Sequence, residues 1–154
     1  MASDIDLIRS CEDLFLHSLH EAGDQDLRLV LHEARAGEPP NQAFLDAEPP
    51  ELRPLLARAR PIAHDADCRV FELTWEGYVA YAVRNESYAV QEPASSQGTG
   101  RRVVEYSASR YLDYVREATL ARDDHPGPVT HWCIHCAFHV VDVVSTRAPT
   151  VVVR

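Results

Sequence analysis

Apolar residues at Leu7, Ile8, Cys11, Leu14, Phe15 and Leu19 recur at intervals of three and four, the period of one helical face. With Ser3 or Asp4 as cap and Gly23 as stop, the pattern predicts an N-terminal amphipathic helix. Leu27, Leu29 and Leu31 then alternate with Arg28 and His32; Leu27, Val30, Leu31 and Ala34 also fit a helix, and the alternation favours a strand. Between Gly37 and Pro54, Pro39, Pro40, Pro49, Pro50 and Pro54 exclude a central strand and leave a loop with room for one helical turn at 41–47. Glu51 to Arg60 reads as a short helix presenting Leu52, Leu55, Leu56 and Ala59, ended by Pro61.

The strongest β pattern runs from Arg69 to Arg84, where two apolar runs flank Glu76-Gly77 and predict a hairpin burying Phe71, Leu73 and Trp75. Gln91 to Gly100 is a polar loop, Arg102 to Ser107 a strand, and Ser107 or Ser109 caps a helix to about Ala121. After the turn Asp123 to Pro128, the β-branched and aromatic run Val129 to Ser145 reads as buried strand, with a short helix at 140–145 as the alternative. Thr150 to Val153 forms a last extended piece. The pattern predicts a single domain, 1–154, of the α+β class: a largely antiparallel sheet of five to six strands with the N-terminal helix and the helix near 109–121 packed on one face. Its expected core includes Leu14, Phe15, Phe71, Leu73, Trp75, Leu112, Val115, Ile134 and Val141.

Charge narrows the partners. A formal net charge of −9 opposes nucleic acid, whose phosphates need clustered cations, and suits a basic protein. All 15 basic side chains are Arg, so the Lys chemistry of Schiff bases and P-loops is excluded. The Arg, Ala, Val and Pro bias reads as GC-rich bacterial coding. No apolar run reaches the ~18 residues of a membrane span, and the acidic first residues do not resemble an export signal. The four scattered cysteines read as reduced thiols, and a cytoplasmic protein is expected.

The densest group of ligand-type side chains is His131, Cys133, His135, Cys136 and His139. On a strand Cys133 and Cys136 point to opposite faces, and no second Cys or His pair completes a zinc knuckle, so neither a metal nor a cofactor is expected; were the segment helical, His131, His135 and His139 would share one face able to bind a metal. The H-x-E of zinc deaminases is missing, the C-x-x-C lies too late and in too apolar a run for a thioredoxin-like pair, and there is no G-x-S-x-G elbow. No catalytic residue is assigned. Arg84-Asn85-Glu86-Ser87-Tyr88, a polar cluster ending an apolar strand, reads as a hydrogen-bonded corner, with a recognition or catalytic edge as the alternative.

Phe71 through Tyr88, Tyr106 to Tyr114, and Pro126 through His139-Val140-Val141-Asp142-Val143-Val144-Ser145 to Pro149 resemble a group of small uncharacterised bacterial proteins, similar in kind to the immunity proteins of polymorphic toxin systems. The resemblance implies a non-catalytic protein that neutralises a bacterial toxin by binding its basic domain. The acids expected to meet that partner lie in loops: Glu38, Asp46, Glu48, Glu51, Asp123 and Asp124. Two alternatives stand beside it: an enzyme built on Glu86, His131 and His135, and a subunit of a larger assembly.

Overall fold

The computed structural model describes residues 3–154. The expected N-terminal helix is two elements, a short α1 (Asp4–Arg9) and a ten-residue strand β1 (Asp13–Ala22). Ser3 caps α1 reciprocally with Asp6, a local signal that holds. The periodicity failed beyond Cys11 because a β-bulge interrupts β1 between Leu16 and Ser18. One extra residue flips the parity of a strand, so Leu16 and Leu19, three apart, both face the core opposite Leu31 and Leu29 of β2 (Asp26–Ala36). Such a strand imitates the spacing of a helix.

The proline-rich segment folds as two small helices, α2 (Gln42–Ala47) and α3 (Arg53–Leu56), and returns through β3 (Ile62–Ala63), which pairs with the end of β2. We refer to 37–61 as the flap. Next come β4 (Val70–Glu76) and β5 (Ala80–Asn85), but they are not a hairpin. Both edges of β4 are occupied, by β2 (Leu29 opposite Leu73) and by the C-terminal strand β10 (Thr150–Val153; Val151 opposite Leu73). The chain therefore turns a corner at Gly77, whose φ of +67° favours glycine, and β5 joins a different sheet.

That second sheet adds β6 (Gln97–Thr99) inside the expected polar loop, β7 (Val103–Ala108), β8 (Thr130–His135) and β9 (His139–Ser145), in the order β5-β9-β8-β7-β6. Residues 140–145 are strand, not helix. The single sheet expected from the sequence is thus two five-stranded antiparallel sheets, the first ordered β1-β2-β4-β10 with β3 on β2.

Their inner faces meet in one core. Leu14, Leu27, Leu29, Leu31, Phe71, Leu73 and Trp75 pack against Val103, Trp132, Ile134, Val141 and Val143. Phe15 is half-buried instead, stacked on Phe138 with ring centroids 5.8 Å apart. The two main helices join different clusters: Ile8 of α1 enters the core between the sheets, whereas Leu112 and Val115 of α4 (Arg110–Ala118) pack on Val144, on the outer side of the second sheet.

Candidate functional site: a buried polar network under helix α4

Alternation along β8 decides which side chains reach the outer side. Trp132 and Ile134 are in the core, so His131, Cys133 and His135 point the other way, toward α4. Asp142 stands directly across from Cys133 on β9. It is the one charged residue in an otherwise apolar strand interior, and 1% of it is exposed.

A carboxylate so placed requires partners. Arg84 on β5 supplies two hydrogen bonds, Nε to Oδ2 at 3.0 Å and Nη2 to Oδ1 at 3.1 Å, and His131 Nε2 lies 2.9 Å from Oδ1. On the other side of the imidazole, Nδ1 is 2.8 Å from Ser109 Oγ, which accepts the Leu112 N–H at 3.1 Å as the N-cap of α4. The donor inventory orders the protons: an ionised Asp142 accepts from His131 Nε2–H, and the bare Nδ1 accepts from the Ser109 hydroxyl. Burial by itself would raise the Asp142 carboxyl, but the hydrogen bonds from His131 and Arg84 outweigh it and hold it below the usual range. His131 lies between Tyr106 and Tyr111, with both ring centroids 5.2 Å away.

Ser, His and Asp in one chain of hydrogen bonds are the residue types of an acyl-transfer triad, but the geometry is that of an anchor. Serine sits on Nδ1 and Asp on Nε2, the reverse of the triad order, and the hydroxyl is committed to the helix cap with only 4% of Ser109 exposed. The network fastens the start of α4 to the sheet. Glu92 reinforces it by accepting from Arg110 N and Ser96 Oγ.

Two clefts flank the network. One, of about 320 Å³, is walled by Ala82, Val90, Tyr111 and Tyr114 over Arg84 and Asp142. The other, of about 410 Å³, is lined by Glu86, Arg101, Arg102, His135 and Cys136. Glu86 and His135 thus come together, while His131 is buried behind Tyr106 and Tyr111. Cys133 and Cys136 face opposite sides: Cys136 belongs to the inter-sheet core, its thiol pushed up to about 12 by burial. Burial, then the charge of and hydrogen bond to Asp142, raise the Cys133 thiol far above its ordinary value. One donor atom from each of His131, Cys133 and Asp142 lies within 4.8 Å of the others, a set able to hold a metal ion. The Arg84–Tyr88 segment forms the expected corner, with Ser87 N donating to Asn85 Oδ1 and Glu86 N to Phe138 O.

The six loop acids fall into two groups, none of them in an ion pair among the described residues. Glu38, Asp46, Glu48 and Glu51 are on the flap; Asp123 and Asp124 are exposed in the turn after α4. Ala137 N–H donates to Leu14 O, which places the end of β8 beside the start of β1 and hence near the flap's base on β2. Asp123 and Asp124 precede the opposite end of β8, a strand of six residues about 17 Å long.

No family model, curated protein or solved structure matches this chain. The assignment rests on the chain's own geometry. Sequence reasoning missed Asp142 as a site residue, although a lone carboxylate among four valines was a legible sign of a buried ion. It also missed the exposed flap side chains Phe44 and Leu55, which carry no such sign.

Proposed function

We propose that the chain is a non-catalytic binding protein, an immunity protein that neutralises a basic bacterial toxin domain by covering it with the flap. One observation carries this reading: Phe44, Leu52 and Leu55 stand 47%, 45% and 71% exposed on the flap, whose two short helices and flanking turns also bear Glu38, Asp46, Glu48 and Glu51. Apolar anchors ringed by polar groups are what an interface core and rim require. Between the helices and Pro61 lies a groove of about 480 Å³ whose lining includes Pro40, Phe44, Leu56 and Ala59. Arg53 is occupied locally by the Asp46 and Glu48 carbonyls, while Arg58 and Arg60 are exposed beside the four flap acids. The net charge of −9 steers a cationic partner in.

The test begins with the gene beside this one. If it encodes a toxin, its C-terminal domain is expected to co-purify with this chain at nanomolar affinity. Phe44→Ala and Leu55→Ala, both at exposed positions, should weaken binding by about 30-fold or more, the scale of an interface hot spot. Absence of binding, with toxin-expressing cells dying in the presence of this chain, refutes the reading.

A further inference from the structure

We propose that the outer side of β8 and β9 is a site for one borderline divalent cation of the zinc type, held by His131, Cys133, His135 and Asp142. This inference is independent of the flap and of toxin binding.

Three of the four side chains already converge, one donor atom from each of His131, Cys133 and Asp142 lying within 4.8 Å of the others. Asp142 Oδ1 meets His131 Nε2 at 2.9 Å, Cys133 stands opposite Asp142 across the β8–β9 pair, and Cys133 Sγ lies 3.5 Å from His135 Nε2. Zinc bonds to nitrogen and oxygen of about 2.0–2.1 Å put the corners of a tetrahedron about 3.3 Å apart, close to the spacing of the His131, Cys133 and Asp142 donors, and His135 completes the set by turning in from beside Cys133. Two imidazoles, a thiolate and a carboxylate are a borderline donor set, which favours zinc or cobalt over magnesium or calcium.

The surroundings are those a bound ion needs. On ligation His131 carries its proton on Nδ1, where Ser109 Oγ accepts it; the Cys133 thiol proton leaves to solvent. Ser109 thereby fixes the ring, as the outer partner of a ligating histidine does. Asp142 keeps Arg84 on Oδ2. A divalent ion, one thiolate and one carboxylate sum to zero, and Arg84 has Glu92 beside it in the first cleft. His135, half-buried at the mouth of the second cleft, gives the ion a way in. With four protein ligands the site is closed, which makes the ion structural and ties β8 to β9 beneath α4.

The test is titration of the tag-free, metal-stripped chain with cobalt(II) chloride. The expected result is saturation at one cobalt per chain, strong visible bands of a tetrahedral ion, and a near-ultraviolet thiolate-to-cobalt band. Cys133→Ser should abolish that band, Cys136→Ser should leave it, and His135→Gln should lower cobalt affinity by about tenfold or more. His135 is half-buried at a cleft mouth, so the last variant stays informative if Cys133→Ser does not fold. The proposal is overturned if no tetrahedral spectrum develops at equimolar cobalt. It is equally overturned if the bands survive His135→Gln and Cys133→Ser unchanged, which would place the ion elsewhere, for instance on His17, His32 and His64 stacked on the first sheet.

Discussion

Two buried carboxylates, Asp142 and Glu33, each hold an arginine, and their consequences can be measured separately. Asp142→Ala removes the negative centre from between Arg84 and His131, and is expected to cost about 3 kcal/mol in urea unfolding, the low end for breaking a buried pair because Arg84 can turn to water. Glu33, 4% exposed at its side chain, accepts from Arg69 at Nε, Nη2 and the backbone, and its pKa falls to about 2 from 4.5. A folded pKa below the unfolded one gives stability that is complete above pH 4.5 and lost as the pH falls toward 2. Acid titration of stability should therefore be steep in that window, and Glu33→Gln should flatten it. His32 works in the same direction at higher pH. Burial, then the charges of His17 and His64, lower its pKa, so below 6.5 the unfolded chain takes up a proton first and stability starts to decline. His32→Gln should remove that early decline; an unchanged curve would contradict the stacked arrangement.

At the scale of elements, α4 is held at its first turn by Ser109 and along its length by Leu112 and Val115. Ser109→Ala removes the cap, worth about 1 kcal/mol, and leaves His131 Nδ1 unpaired in the interior, worth about 1–3 kcal/mol more. Thermal unfolding should show the combined loss, with Ser109→Thr recovering part of it. In the core, Leu73→Ala and Ile134→Ala each open a cavity between the two sheets, and each is expected to cost about 2–5 kcal/mol. The helix near 109–121 was legible because Leu112 and Val115 follow the helical period, and the run 129–145 was legible as strand from its β-branched and aromatic composition, although not its division into β8 and β9. The N-terminal segment was not, because the bulge at Leu16–Ser18 lends a strand the spacing of a helix.

For the whole molecule, charge and the exposed flap predict how a partner arrives. Charge reversal at Glu38, Asp46, Glu48 and Glu51 should slow association at low salt and matter less above physiological ionic strength, where the screening length falls below about 8 Å. The same reversal at Asp123 and Asp124, at the far end of β8, should have a smaller effect on a partner seated on the flap. Equal effects would mean a footprint that is not centred on the flap.

By itself the sequence determined the class of the fold, most of its elements and a part of its core: of the nine residues expected there, all but Phe15 are buried. Capping, alternation and turn residues act between near neighbours, and Ser3, Ser109, Leu27 to Leu31 and Phe71 to Trp75 each carry their own instruction. The candidate site was legible only as a list of ligand types around His131; which of them share a face, and that Asp142, Arg84 and Ser109 join them, was not. Tertiary structure decided the rest. The apparent hairpin of 69–84 is divided between two sheets because β2 and β10 occupy both edges of β4, and β10 lies more than 70 residues further along the chain. Ser109, His131, Asp142 and Arg84 meet for the same reason: β5, β7, β8 and β9 become neighbours only when the second sheet closes. Strand pairing depends on which edges remain free, and no local pattern encodes that.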